Sequence, residues 1–179
     1  MRQPYDCDRI GGAKMNLARS ISSETESADE DILDIVVISY TTVGVVNGVG
    51  QSTVQVEARE ILIPDRSSAS YSVRFELSSG GDYPQETFAS VAYKDIDRLT
   101  SMSKRLETTS ISTDRFSFSE VQYEIGDLKI IVFNTDRGTS MAIIKSSNVS
   151  VTLSSPSKLS AFTALIEKAR AHLDINKVP

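Results

Sequence analysis

Two kinds of apolar spacing alternate along this chain: every second position, as in a half-buried strand, and every third or fourth, as in an amphipathic helix. The stretch ILDIVVISYTTVGVV, from Ile32 to Val46, is dense in β-branched residues, which suit a pleated surface. Asn47-Gly48 follows, a pair suited to a turn of positive φ. In STVQVEAREILI, the apolar positions Val54, Val56 and Ala58 share one parity, and Ile61 and Ile63 have the other. The spacing predicts paired strands over about 32–46 and 51–63, with a bulge or bend between Ala58 and Ile61. After a turn at Pro64-Asp65-Arg66-Ser67, Tyr71, Val73, Phe75 and Leu77 alternate again. Gly80-Gly81-Asp82 turns the chain, and a fourth strand over about 86–93 leads into a helix. Asp95 is placed to cap that helix, with Ile96, Leu99, Met102 and Leu106 at helical spacing and Thr108-Thr109-Ser110 at its end.

The second part of the chain writes the same order again. Phe116 and Phe118 alternate, then Val121, Tyr123 and Ile125; Gly126-Asp127 turns the chain, and LKIIVFN reads as a buried strand. Asp136-Arg137-Gly138 turns once more, and TSMAIIKSS and NVSVTLS give two short strands. Ser155 is placed to cap, and Pro156 takes the first helical position, where its missing N–H costs nothing. Leu159, Phe162, Leu165, Ile166, Ala169 and Leu173 then form one stripe. Aligning residues 90–107 with 150–167 gives identities at Ser90/Ser150, Val91/Val151, Leu99/Leu159 and Glu107/Glu167. The expectation is an α+β fold: antiparallel sheets from a duplicated ββββα unit with two amphipathic helices. Residues 1–31 read as a flexible polar tail, 32–110 as the first half and 111–179 as the second, the halves sharing one core.

Four strands and a helix, twice over about residues 32–173, resemble the Whirly-type single-stranded DNA-binding fold. The likeness is one of element order. The chain has no Lys-Gly-Lys-type basic motif of that family, and its net acidity departs from it, so no functional residue carries across. The second half, with KLSAFTALIEKARAHL, is also similar to small uncharacterised bacterial α+β domains. The competing architecture is a pleckstrin-homology-like barrel of about seven strands closed by the C-terminal helix, with the first helix as an insertion.

Charge and chemistry narrow the functional classes. The formal charge of −5 and pI near 5.0 weigh against a basic footprint over the whole surface. Cys7 is the only cysteine, so no intrachain disulfide forms, and His172 is the only histidine. A nucleophile–histidine machine would have to use His172, whose place near the end of a helix also suits the helix dipole. One Cys and one His far apart do not make a zinc pattern, and Asp95 and Asp97 read as acids at a helix start. No metal, cofactor or catalytic residue is expected. No apolar run reaches the ~20 residues of a membrane helix, and the first residues lack a signal core; the expected location is cytoplasmic.

What remains is binding. The first expectation is a non-catalytic module that contacts an unidentified macromolecule, or itself, through an exposed sheet face or edge. The second is single-stranded nucleic-acid binding on a sheet face, for which the candidates are Tyr40, Tyr71, Arg74, Tyr93, Tyr123, Lys129, Arg137 and Lys145. A carboxylate-based enzyme is the third.

Overall fold

The computed structural model describes residues 35–64, 68–109, 111, 118–135 and 139–177. The first four strands are β1 (Val37–Asn47), β2 (Thr53–Ile63), β3 (Ser68–Ser78) and β4 (Glu86–Ala92), followed by α1 (Ile96–Glu107). The order then recurs as β5 (Glu120–Ile125), β6 (Leu128–Asn134), β7 (Ser140–Ser146), β8 (Val149–Leu153) and α2 (Leu159–Asn176). The strands form two antiparallel sheets in sequence order, β1-β2-β3-β4 and β5-β6-β7-β8. The class is α+β, as the pattern predicts, and the seven-stranded barrel does not form: β4 runs into α1, and pairing begins afresh at β5. The expected alternation at Phe116, the turn at Asp136–Gly138 and the 1–31 tail lie outside the described residues.

Alternation decides which sheet face is apolar. On the first sheet, Val54, Val56 and Ala58 of β2, Val73, Phe75 and Leu77 of β3, and Ala89 and Val91 of β4 are all buried and share a face through the ladder register. On the second, Leu128, Ile130 and Val132 of β6 line up with Ala142 and Ile144 of β7 and Val149, Val151 and Leu153 of β8. The two inner faces and both helices contribute to one core.

α2 lies on the sheet of the other half, and α1 lies against α2 and the edge of the second sheet. α2 packs on β1, β2 and β3, with the Phe162 and Phe75 ring centroids 5.4 Å apart. α1 packs against β5 and α2, and the Arg98 guanidinium lies 6.0 Å from the Tyr123 ring centroid. A four-stranded sheet has more apolar surface than one short helix covers, and the remainder is sheltered where β3 and β4 of the first sheet meet β6, β7 and β8 of the second. Where the helices cross, the buried hydroxyls of Ser103 and Thr163 are 2.7 Å apart. Thr163 spends its proton on the Leu159 carbonyl at 2.8 Å, so Ser103 donates across the crossing and Thr163 accepts.

Two details differ from expectation. Neither Asp95 nor Ser155 makes a side-chain cap; each helix is entered through a three-residue 3-10 turn, Tyr93–Asp95 and Pro156–Lys158, whose tighter winding precedes the α-helical hydrogen bonds. The bulge sits in β1, where Thr42 pairs with Glu57 and Gly44 with Val56, leaving Val43 as the extra residue. β2 pairs with β3 without interruption from Thr53 to Ile63. Its change of apolar parity has another cause: beyond Ala58 the strand runs past the core. The bulge serves α2. Val43 is buried, its carbonyl accepts from Lys168 Nζ at 3.0 Å, and Gly44 lets the helix close in, since a Cβ there would lie 2.6 Å from Leu165 Cδ2.

Candidate functional site

The eight candidate residues do not form one cluster. Arg137 lies outside the described residues. Tyr123 is on the buried face of the second sheet; its phenol oxygen has no hydrogen-bond partner among the described residues, and burial pushes its pKa above the usual value, with the Arg98 charge opposing. Tyr93, in the turn before α1, is drawn into the end of α2. Its hydroxyl donates to Asp174 and accepts from Lys177 Nζ at 2.7 Å, its carbonyl accepts from Arg170 at 3.0 Å, and the Arg170 guanidinium stacks 3.8 Å over its ring. Arg170 also reaches Asp97 at 3.5 Å, so this cluster fastens the start of α1 to the last turns of α2.

Arg74, Lys129 and Lys145 do occupy matching places, but on two different sheets. The register sets Thr42, Glu57, Arg74 and Ser90 in one row across the outer face of the first sheet, and Glu124, Lys129, Lys145 and Ser150 in one row across the second. Arg74 pairs with the buried Glu57 carboxylate at 3.3 Å and stacks 3.7 Å over Phe88. Lys129 pairs with Glu124 at 2.9 Å, while Lys145 is exposed and makes no ion pair among the described residues. Both lysines line a depression of about 290 Å³ between the β5–β6 and β7–β8 turns, together with Glu124 and Asp127, so its formal charges cancel.

A second depression, also about 290 Å³, was not foreseen as a group. It lies where the end of α2 meets the first sheet, and His172, Glu60, Tyr71, Tyr40 and Asn176 line it. Glu60 and Tyr71 stand directly opposite each other on β2 and β3, a placement the hairpin register alone implies. His172 joins them only through the docking of α2, which no local pattern announces. The depression offers an imidazole, a carboxylate and a phenol for hydrogen bonding. Among the described residues no group of three or more His, Cys, Asp or Glu could hold a metal ion, and no helix is long and apolar enough to cross a membrane.

Among the described residues, β1 and the two residues before it carry a run of exposed apolar side chains. Beyond the bulge, the β1–β2–β3 ribbon projects past the helices. Ile35, Val36, Val37, Ile38 and Tyr40 are 67%, 49%, 44%, 48% and 63% exposed, and they fall on both faces of the strand. Ile61, Leu62 and Ile63 beside them are half-buried. Among the described residues β1 is an edge strand, so its outward N–H and C=O groups have no neighbouring strand there. Sequence reasoning named Tyr40 here but missed its apolar neighbours, because a β-branched run reads as core until the extent of helix cover is known.

The chain matches no protein-family model, no curated protein and no solved structure.

Proposed function

We propose that this protein is an interaction module, not an enzyme, and that it makes its contact through the projecting edge of the first sheet. The observation that carries the reading is the exposure of Ile35 and Val36 just before β1, and of Val37, Ile38 and Tyr40 on it, along a strand that is an edge among the described residues. Such an edge accepts an added strand: main-chain hydrogen bonds supply affinity, and the side chains on both faces add apolar contact. We also read the recurring order of elements as an internal duplication. The matching outer rows support it, as does the crossing at Ser103 and Thr163, sixty positions apart (163 − 103 = 60).

The basic residues favour this reading over nucleic acid, since Arg74 lies on one sheet and Lys129 and Lys145 on the other, with Tyr71 and Tyr123 on inner faces. The test is a photo-crosslinking side chain placed at position 40 and, in a separate sample, at position 145. Protein adducts are expected from position 40. Oligonucleotide adducts from position 145, with none from 40, would move the contact to the second sheet and overturn the proposal. A titration with short single strands at low and moderate salt completes it; the expected result is no salt-sensitive binding.

A further inference from the structure

We infer that the edge takes a second copy of this chain, the two β1 strands pairing antiparallel to join the first sheets across a two-fold axis. This rests on the edge reading above and names the occupant. From Ile35 to Val56 the sequence contains no charged residue: IVVISYTTVGVVNGVGQSTVQV. Edge strands in monomeric proteins are blunted by charge, proline or brevity. β1 spans eleven residues and carries neither charge nor proline. A charged peptide finds no counter-charge along it, whereas an identical strand meets no repulsion. The occupant must also present apolar side chains on both faces, and β1 itself has that property.

The bulge at Val43 limits the ladder, because the extra residue bends the strand and breaks the spacing of its bonds. Pairing therefore uses about residues 35–42. Centred on Ser39, the antiparallel register sets Ile38 of one copy beside Tyr40 of the other, and Val37 beside Thr41. This keeps like faces together. Ile38 and Tyr40 share a face with Ile61, which pairs with Ile38 across to β2. The two copies thus merge their outer apolar patches into one stripe and place both α2 helices on the same side. The contact is one pair of short strands, so a weak dimer of about micromolar dissociation constant is expected.

The experiment uses the full chain, followed by sedimentation equilibrium and amide hydrogen exchange over about a hundredfold range of concentration. The expected result is a monomer–dimer equilibrium in which the alternate amides of 37–41 that face away from β2 slow as concentration rises. Ile38→Lys, and separately Tyr40→Lys, is expected to raise the dissociation constant at least about tenfold while the amides of β2 and β3 stay protected. A dimer unaffected by either substitution overturns this edge as the seam. A monomer at every concentration whose outward-facing amides within 37–41 exchange fast overturns the second copy as occupant, yet leaves the edge open to another strand and the broader reading intact. A monomer whose outward-facing amides within 37–41 are slow at every dilution means the chain covers its own edge, and overturns both.

Discussion

Thr163 has one proton, and where it goes sets the polarity of the helix crossing. With that proton held by Leu159, Ser103 must donate, so the two hydroxyls are not equivalent. Ser103→Ala removes only the donor and is expected to cost about 0.5–1.5 kcal/mol, whereas Thr163→Val strands a buried donor and costs about 1–3 kcal/mol. Urea unfolding of both singles and the double variant checks this: the double should cost less than the sum, and additivity would show that the hydroxyls do not interact. At Tyr93, hydrogen bonding from the phenol chiefly holds the Asp174 carboxyl below its ordinary value of 3.8, and the same hydroxyl chiefly raises Lys177 above 10.5. The signs follow: the Asp174 contribution is present above 3.8 and fades as pH falls through the lower folded value, and that of Lys177 is present below 10.5 and fades as pH rises through the higher one. Tyr93→Phe is expected to move Asp174 up and Lys177 down in a side-chain NMR titration; unchanged values would place the cause of the Asp174 shift in Arg170 and that of the Lys177 shift in Asp174. No residue-level pattern announced this cluster. Tyr93 looked like a free aromatic because its partners lie 77 to 84 positions away and meet it only when α2 docks.

At the scale of elements, most boundaries were legible because each strand and helix carries its own periodicity. β6 is buried at alternate positions, and α1 turns Ile96, Leu99 and Leu106 inward as their spacing requires. The bulge was not legible. Parity changes in β2, but the ladder break is in β1, since the parity of a strand reports what covers it as well as how it is paired. The same ambiguity hid the exposed ribbon: β-branched residues that look like core become surface when the helix stops short of them. The helix that does cover the first sheet is anchored by Phe162, fully buried against Phe75. Phe162→Ala is expected to cost about 3–5 kcal/mol, from lost burial plus the cavity left behind. Chemical denaturation measures it, and a cost under about 1 kcal/mol would mean the site collapses around the smaller side chain.

At the scale of the molecule, the packing of the two halves on each other makes a demand that the recurring order of elements alone does not. A duplication could equally give two self-sufficient halves, each helix on its own sheet, and the chain pattern would read the same. Here the inner face of the first sheet is covered by α2, the second sheet sets β6, β7 and β8 against β3 and β4 and meets α1 at its edge strand β5, and residues 34–179 form one compact unit. Each half separated from the other leaves an apolar sheet face open to water and a helix without its seat. Burying a single Phe or Leu side chain contributes about 1.5–3 kcal/mol, so the loss across either face exceeds the whole stability of an ordinary domain. A chain cut between 110 and 111 is therefore expected to yield two fragments that are unfolded alone and regain structure when mixed. Circular dichroism and amide exchange of each fragment, then of the equimolar mixture, measure it. A first fragment that folds cooperatively by itself would show that α1 can seat on its own sheet, and the observed arrangement would then be a choice between two stable packings.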